Sequence, residues 1–134
     1  MDKVLIVEDD EIIQNLIEYR LNALGYHVCG KAETGEGAIL SAMNMNPDVI
    51  LMDIHLKGTL DGIDAAKIIR KSSSPRIIFL TAFTDDAVIQ RAKEVHPEGF
   101  IEKPFSDTDL RVALALAHTD PDPSPSAPPS PRIT

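Results

Sequence analysis

Apolar positions along this chain fall into two alternating rhythms. Unbroken runs such as Val4-Leu5-Ile6-Val7 and Val49-Ile50-Leu51-Met52 alternate with longer stretches in which apolar residues return every three or four positions. An unbroken run suits a strand buried on both faces, and the longer spacing suits an amphipathic helix. The first strand is predicted over Lys3–Val7. A helix follows over residues 11–24, with Ile13, Leu16, Ile17, Leu21 and Leu24 at helical spacing and Gly25 as its stop. His27–Ala32 is a weaker second strand. Gly35–Met45 is a helix with Ala38, Ile39, Ala42 and Met43 on one side, stopped before Pro47. The third strand covers residues 49–52. Asp61-Gly62 opens a helix carrying Ile63, Ala65, Ala66 and Ile69, in a segment that Pro75 ends. Arg76–Thr81 is the fourth strand, and Asp85-Asp86 cap a helix reaching about residue 95. Gly99–Glu102 is a short fifth strand. Ser106 and Asp109 have the spacing of a capping box for a last helix to about residue 118.

Five strand–helix units in order predict an α/β fold, (βα)5, with a doubly wound parallel five-stranded sheet and helices on both faces. Right-handed crossovers leave few topologies for it. The pattern stops at residue 118. Residues 119–134 hold six of the ten prolines and almost no apolar side chains, so they read as a Pro/Ser-rich linker or tail that cannot pack a core. The expected division is one domain over residues 1–118 and a tail over 119–134.

Charge and cysteine content narrow the function classes. The net charge of −8 argues against a nucleic-acid or anionic-membrane surface. One cysteine, Cys29, allows no internal disulfide and fits a reducing compartment. The chain begins with charged residues and a strand, and no signal peptide or transmembrane run is visible, so a cytoplasmic location is expected.

The chemistry gathers at strand ends. In an open α/β sheet, ligands bind beyond the carboxyl ends of the strands. Glu8, Asp9 and Asp10 follow the first strand, Asp53 ends the third, Thr81 ends the fourth, and Lys103-Pro104 follow the fifth. Each alone has an ordinary reading: a helix cap, a turn aspartate, a strand-end threonine, a surface lysine. Together they would place two or three carboxylates, a hydroxyl and an ammonium on one edge. Two carboxylates 4 Å apart repel by about 4 kcal/mol at an effective dielectric of 20, so a cation must relieve them. An all-oxygen donor set favours Mg²⁺, with Mn²⁺ as an alternative, over Zn²⁺, and the four histidines are dispersed. A hard cation, a lysine and a threonine hydroxyl are what a phosphoryl group needs, with Asp53 as the nucleophile.

The segments "VLIVEDDE", "PDVILMDIHLKG", "DGIDAA", "RIIFLTA" and "GFIEKPFS" together resemble the receiver domain of two-component response regulators, of which CheY is representative. The resemblance covers about residues 2–118. It implies the flavodoxin-like strand order 2-1-3-4-5. It implies that Asp53 accepts a phosphoryl group from a sensor histidine kinase or phosphotransfer protein. It places Mg²⁺ on Asp9 and Asp53, on the backbone carbonyl of His55, and on Glu8 through water. Thr81 and Lys103 then bind the phosphoryl group, the Lys103–Pro104 bond is cis, and Phe100 is the aromatic switch that turns inward when Thr81 moves. Asp10 is left to cap or face solvent.

The match also has departures. Lys57 stands where the family usually has proline, and the loop to Asp61-Gly62 is one residue longer. His55 and Phe83 occupy the positions that tune dephosphorylation. The last helix lacks the basic end of the winged-helix transcription-factor subfamily. The expected role is a switch that controls a partner or output domain, not an enzyme beyond its own Mg²⁺-dependent phosphorylation and autodephosphorylation. It would act as a monomer or as a phosphorylation-dependent dimer through the fourth helix, fifth strand and fifth helix. Two alternatives remain. A haloacid-dehalogenase-type phosphatase would need an aspartate where His55 stands. A degenerate receiver scaffold would lack site residues that are present here.

Overall fold

Each apolar run becomes a strand of one parallel sheet. The computed structural model describes residues 2–82 and 84–117. The strands are β1 (Lys3–Val7), β2 (His27–Ala32), β3 (Val49–Asp53), β4 (Arg76–Thr81) and β5 (Gly99–Glu102). The helices are α1 (Glu11–Ala23), α2 (Gly35–Met45), α3 (Gly62–Ile69), α4 (Asp86–Lys93) and α5 (Asp107–Ala117). The order across the sheet is β2-β1-β3-β4-β5, all neighbours parallel. This is the flavodoxin-like doubly wound arrangement, with its switch point between β1 and β3.

Alternation along the strands builds two cores. Leu5, Val7, Ile50, Met52, Ile77 and Phe79 point to one face and pack with buried residues of α2, α3 and α4, among them Ala38, Ala42, Ile63, Ala66 and Ala92. Val4, Ile6, Leu51, Ile78, Leu80 and Ile101 point to the other and meet Ile17 and Leu21 of α1 and Leu110 and Leu114 of α5. The three central strands are apolar on both faces for this reason.

Helix ends follow local chemistry. Asp10 caps α1 by accepting from the N–H groups of Ile12 and Ile13, and Gly25 follows the helix at φ 93. Asp61 and Asp64 form a reciprocal capping box on α3, and Ser106 and Asp109 form one on α5.

Several expectations shift. β3 runs one residue beyond the expected 49–52 and includes Asp53, in register with Leu80. Leu16, Leu24 and Met43 are exposed although their spacing placed them inward, because α1 and α2 each press only a narrow stripe on the sheet. α4 ends two residues before Val95, where Glu94 caps it and His96 turns left-handed at φ 56. α3 stops at Arg70, well short of Pro75. The expected end of α5 at His118, and the tail, lie outside the described residues.

Candidate functional site

The carboxyl ends of β1, β3, β4 and β5 bring the predicted residues together. Glu8, Asp53 and Thr81 are buried, with 1%, 4% and 3% of their surfaces exposed, while Asp9 is half-buried. Glu8, Asp9 and Asp53 each offer a carboxylate oxygen within 4.8 Å of the others. Lys103 Nζ donates to Asp53 Oδ2 at 2.7 Å and to Glu8 Oε1 at 3.3 Å. These groups come from residues up to 95 positions apart in the chain, and sheet topology alone brings them together.

Backbone geometry fixes the Asp53 carboxylate. The His55 N–H donates to Asp53 Oδ1 at 3.1 Å, fixing the carboxylate, while the His55 side chain is exposed. The Ile54 N–H bonds Leu80 O at 3.2 Å, and the Gly62 N–H bonds Ile54 O at 2.8 Å, so the chain leaving Asp53 is held at both ends. Gly62 packs directly on this segment: a Cβ there would collide with the Asp53 carbonyl oxygen and the Met52 side chain. Lys103 is positioned by its own N–H, which donates to Thr81 O at 2.8 Å, and the Lys103–Pro104 peptide is cis, as the resemblance implies. Phe100 is half-buried against Phe79, their ring centroids 6.0 Å apart.

Electrostatics follow from burial and crowding. Burial pushes the Glu8 carboxyl up, the neighbouring Asp53 charge adds to this, and Lys103 and the Asp10 N–H only partly offset it, leaving Glu8 at about 7. Burial alone would lower Lys103. The hydrogen bond and charge of Asp53, together with Glu8, outweigh it and raise the ammonium above its ordinary value. Lys103 is therefore cationic at any physiological pH. The donor set is all oxygen, carboxylate-rich and under mutual repulsion, and so fits a hard divalent cation.

Two residues near the site were not singled out by sequence reasoning. Gln14 is buried and donates to Glu8 O at 3.0 Å and Ala32 O at 3.1 Å, pinning the β1–α1 turn that carries the acidic pair. The available signal was a polar side chain one turn before Ile17 on the inward stripe of α1. Gly35 is the other: a Cβ there would press on Leu60, so α2 packs closely against the loop after Asp53. Asp10 caps α1 and is exposed. Lys57 is exposed, and its backbone forms an isolated parallel bridge with Thr34. Phe83 lies outside the described residues.

The fold agrees with comparisons to known proteins. Residues 4–115 match the response regulator receiver domain. The chain is 36% identical over 112 residues to the transcriptional regulatory protein PdtaR of Mycobacterium tuberculosis, covering 84% of this chain and 54% of that protein. It is 34% identical over 108 residues to the transcriptional regulatory protein ResD of Bacillus subtilis, covering 81% and 44% respectively. Among solved structures, the signal receiver domain of a modulated diguanylate cyclase from Desulfovibrio desulfuricans G20 superposes with a TM-score of 0.82 at 37% identity, covering 87% of this chain and 93% of that one. The chemotaxis response regulator CheY4 of Vibrio cholerae gives 0.80 at 30% identity, covering 88% and 99%.

The chain belongs to the response regulator receiver domain family. It is a receiver domain of two-component signalling, in a family of switches, and the dehalogenase-type phosphatase reading falls away. The chain spans about half the length of the curated relatives it matches. No helix among the described residues is long and apolar enough to cross a membrane.

Proposed function

We propose that Asp53 is the phospho-acceptor of this receiver domain and that its phosphorylation switches the α4–β5–α5 face. The observation that carries this reading is the 2.7 Å contact of Lys103 with Asp53 inside a buried carboxylate cluster. An Asp53 carboxylate oxygen bonds to phosphorus as the P–N bond of a phosphohistidine breaks, and the departing imidazole takes up a proton. The product is an acyl phosphate. Glu8, Asp9, Asp53 and the His55 carbonyl would hold Mg²⁺, or Mn²⁺, which supplies positive charge against the phosphoryl oxygens. Lys103 moves from carboxylate to phosphoryl oxygen, keeping its charge. The Thr81 hydroxyl turns to the phosphoryl group, and Phe100 follows into the space it leaves. The phosphoryl adds about two negative charges and three acceptor oxygens, enough to favour the rearranged state if it binds that state better.

The donor would be a sensor histidine kinase or phosphotransfer protein. An apolar groove lined by Ile13, Leu16, Pro104 and Phe105 opens beside Lys103 and suits a docking helix. The output is a partner or a further domain, reached after a receiver unit over residues 1–118 through the Pro/Ser-rich stretch 119–134. Exposed Val112 and Leu116 beside Phe100 support a phosphorylation-dependent dimer through α4, β5 and α5.

The test is intact mass after incubation with Mg²⁺ and acetyl phosphate. One added phosphoryl group, absent in Asp53→Ala and abolished by chelation, is expected. No adduct from any small donor would make the chain a scaffold. Steady phosphate release without an adduct would point to hydrolysis instead.

A further inference from the structure

We propose that Lys57 is a specificity-determining residue of the Asp53 site, setting the charge at the mouth through which a divalent cation and an anionic phosphoryl donor both enter; this role rests on Asp53 being the acceptor. Beside the carboxylate cluster opens a shallow pocket lined by Asp9, Asp10, Glu11, Ile12, Glu33 and Lys57. Asp9 lines the pocket and belongs to the cluster, so the pocket adjoins the cluster at that carboxylate. The pocket wall thus carries four carboxylates and a single ammonium.

The Lys57 backbone is held by a partner and its side chain is not. Four residues beyond Asp53, it forms a bridge with Thr34 at the start of α2, and Gly58 turns the chain away at φ 98. The side chain is exposed, and among the described residues it enters no hydrogen bond or ion pair. Lys103, by contrast, is engaged by both Asp53 and Glu8. Lys103 neutralises the interior of the site, and Lys57 is the cation that acts on what approaches from solvent.

One positive charge at this mouth has opposite effects on the two species that must enter. It repels a divalent cation and attracts a donor phosphate, and both effects act over roughly a Debye length of 8–10 Å. Lys57 therefore trades metal affinity for capture of the phosphoryl donor. Exposed charges of this kind fade in salt, which separates the effect from packing.

The test uses the full chain with Lys57→Gln, Lys57→Glu and Lys57→Arg. Calorimetric titration with Mg²⁺ alone, at low ionic strength, is expected to show binding tightened by about 2–5-fold in Lys57→Gln and more in Lys57→Glu. The rate of mass gain from acetyl phosphate at saturating Mg²⁺ is expected to fall by about the same factor. In that transfer the Asp53 oxygen–phosphorus bond forms and the phosphorus–oxygen bond to acetate breaks. Lys57→Arg keeps both wild-type values, and about 0.5 M salt erases both differences. Constants that stay unchanged, that move in the same direction, or whose shifts survive high salt overturn the proposal. If the wild type takes no phosphoryl group, the acceptor reading fails, and the Mg²⁺ titration alone decides Lys57: tighter binding in Lys57→Gln sustains its role and unchanged or absent binding refutes it.

Discussion

Arg91 of α4 reaches across to the start of α3, donating Nη1 to Asp61 Oδ2 at 3.0 Å and Nη2 to Asp64 Oδ1 at 3.2 Å. The two acceptors are the residues that box the α3 N-terminus, and Asp61 closes the loop that begins at Asp53. α4 buries only Ala92 within its own span. Polar ties to α3 continue just past its end: Lys67 to Glu94 at 3.4 Å, and Arg70 to the His96 carbonyl at 3.2 Å. α4 is thus held by an ionic seam together with a small apolar contact, which suits a helix of low local stability.

Replacing Arg91 with Gln should therefore loosen α4 without unfolding the sheet. The pair is partly exposed, so the expected loss is modest, about 0.5–1.5 kcal/mol at pH 7. Burial pushes the Asp61 carboxyl up, but the Arg91 hydrogen bond, the Asp64 N–H and the Arg91 charge together hold it below its ordinary value. A depressed carboxylate contributes stability above its unfolded pKa and loses it as the pH falls through the lower folded value. Urea titrations of wild type and Arg91→Gln should differ at pH 7 and converge as the pH falls below about 4.

Glu8 gives a pH dependence of opposite sign. Its folded carboxyl sits at about 7, above the ordinary 4.5. Between those values the folded state holds a proton that the unfolded state has lost, so stability falls as the pH rises through this window. Without metal, Glu8→Gln should gain on the order of 1–3 kcal/mol relative to wild type at pH 8, and the gain should shrink near pH 5. Mg²⁺ binding to the wild type should tighten from pH 6 to 8 with proton release, and should lose that pH dependence in the variant. Calorimetry in two buffers of different ionisation enthalpy measures the released proton directly.

Much of this was legible in the sequence because buried parallel strands leave an unusual signature. The runs at Val4–Val7 and Val49–Met52 have few other uses, and reactive residues at the ends of four of the five strands point to one edge. What the sequence hid was which apolar residues of a helix touch the sheet. Leu16 and Ile17 have equal claims by spacing, yet only Ile17 is buried. Tertiary packing chooses between them, and periodicity does not. Gln14 was hidden because its role depends on two carbonyls, Glu8 O and Ala32 O, that meet only after β1 and β2 pair. The Arg91 seam depends in the same way on α3 and α4 lying side by side.

His96 should be replaceable to advantage. It ends the α4 segment at φ 56, a left-handed conformation that costs a β-carbon roughly 1 kcal/mol. Its side chain is exposed, and its carbonyl, which receives Arg70, is retained by any residue. His96→Gly should stabilise the fold by about 0.5–1 kcal/mol, less the entropy glycine adds to the unfolded chain. Thermal midpoints of His96→Gly and wild type, compared in one buffer, measure the backbone effect. A lowered midpoint would mean that the side chain makes a contact worth more than the strain.

Gly62 makes the sharpest demand on the fold. A methyl group there would meet the Asp53 carbonyl oxygen, Met52 Cγ and the Asp53 carbonyl carbon together. The start of α3 cannot simply back away, because the Gly62 N–H is bonded to Ile54 O and Arg91 holds the adjacent Asp61. Gly62→Ala should therefore cost about 2–4 kcal/mol and displace Asp53, weakening Mg²⁺ binding as well. Gly25→Ala is the matching control. It has nothing within 4 Å of the added methyl and only the strain of φ 93. It should cost about 1 kcal/mol and leave Mg²⁺ affinity untouched. Urea midpoints and Mg²⁺ titrations on the two variants separate backbone strain from collision at the site. If Gly62→Ala proves as mild as Gly25→Ala in both measurements, α3 is not what holds Asp53 in place, and the His55 N–H, Lys103 and the pairing of β3 with β4 do so without it.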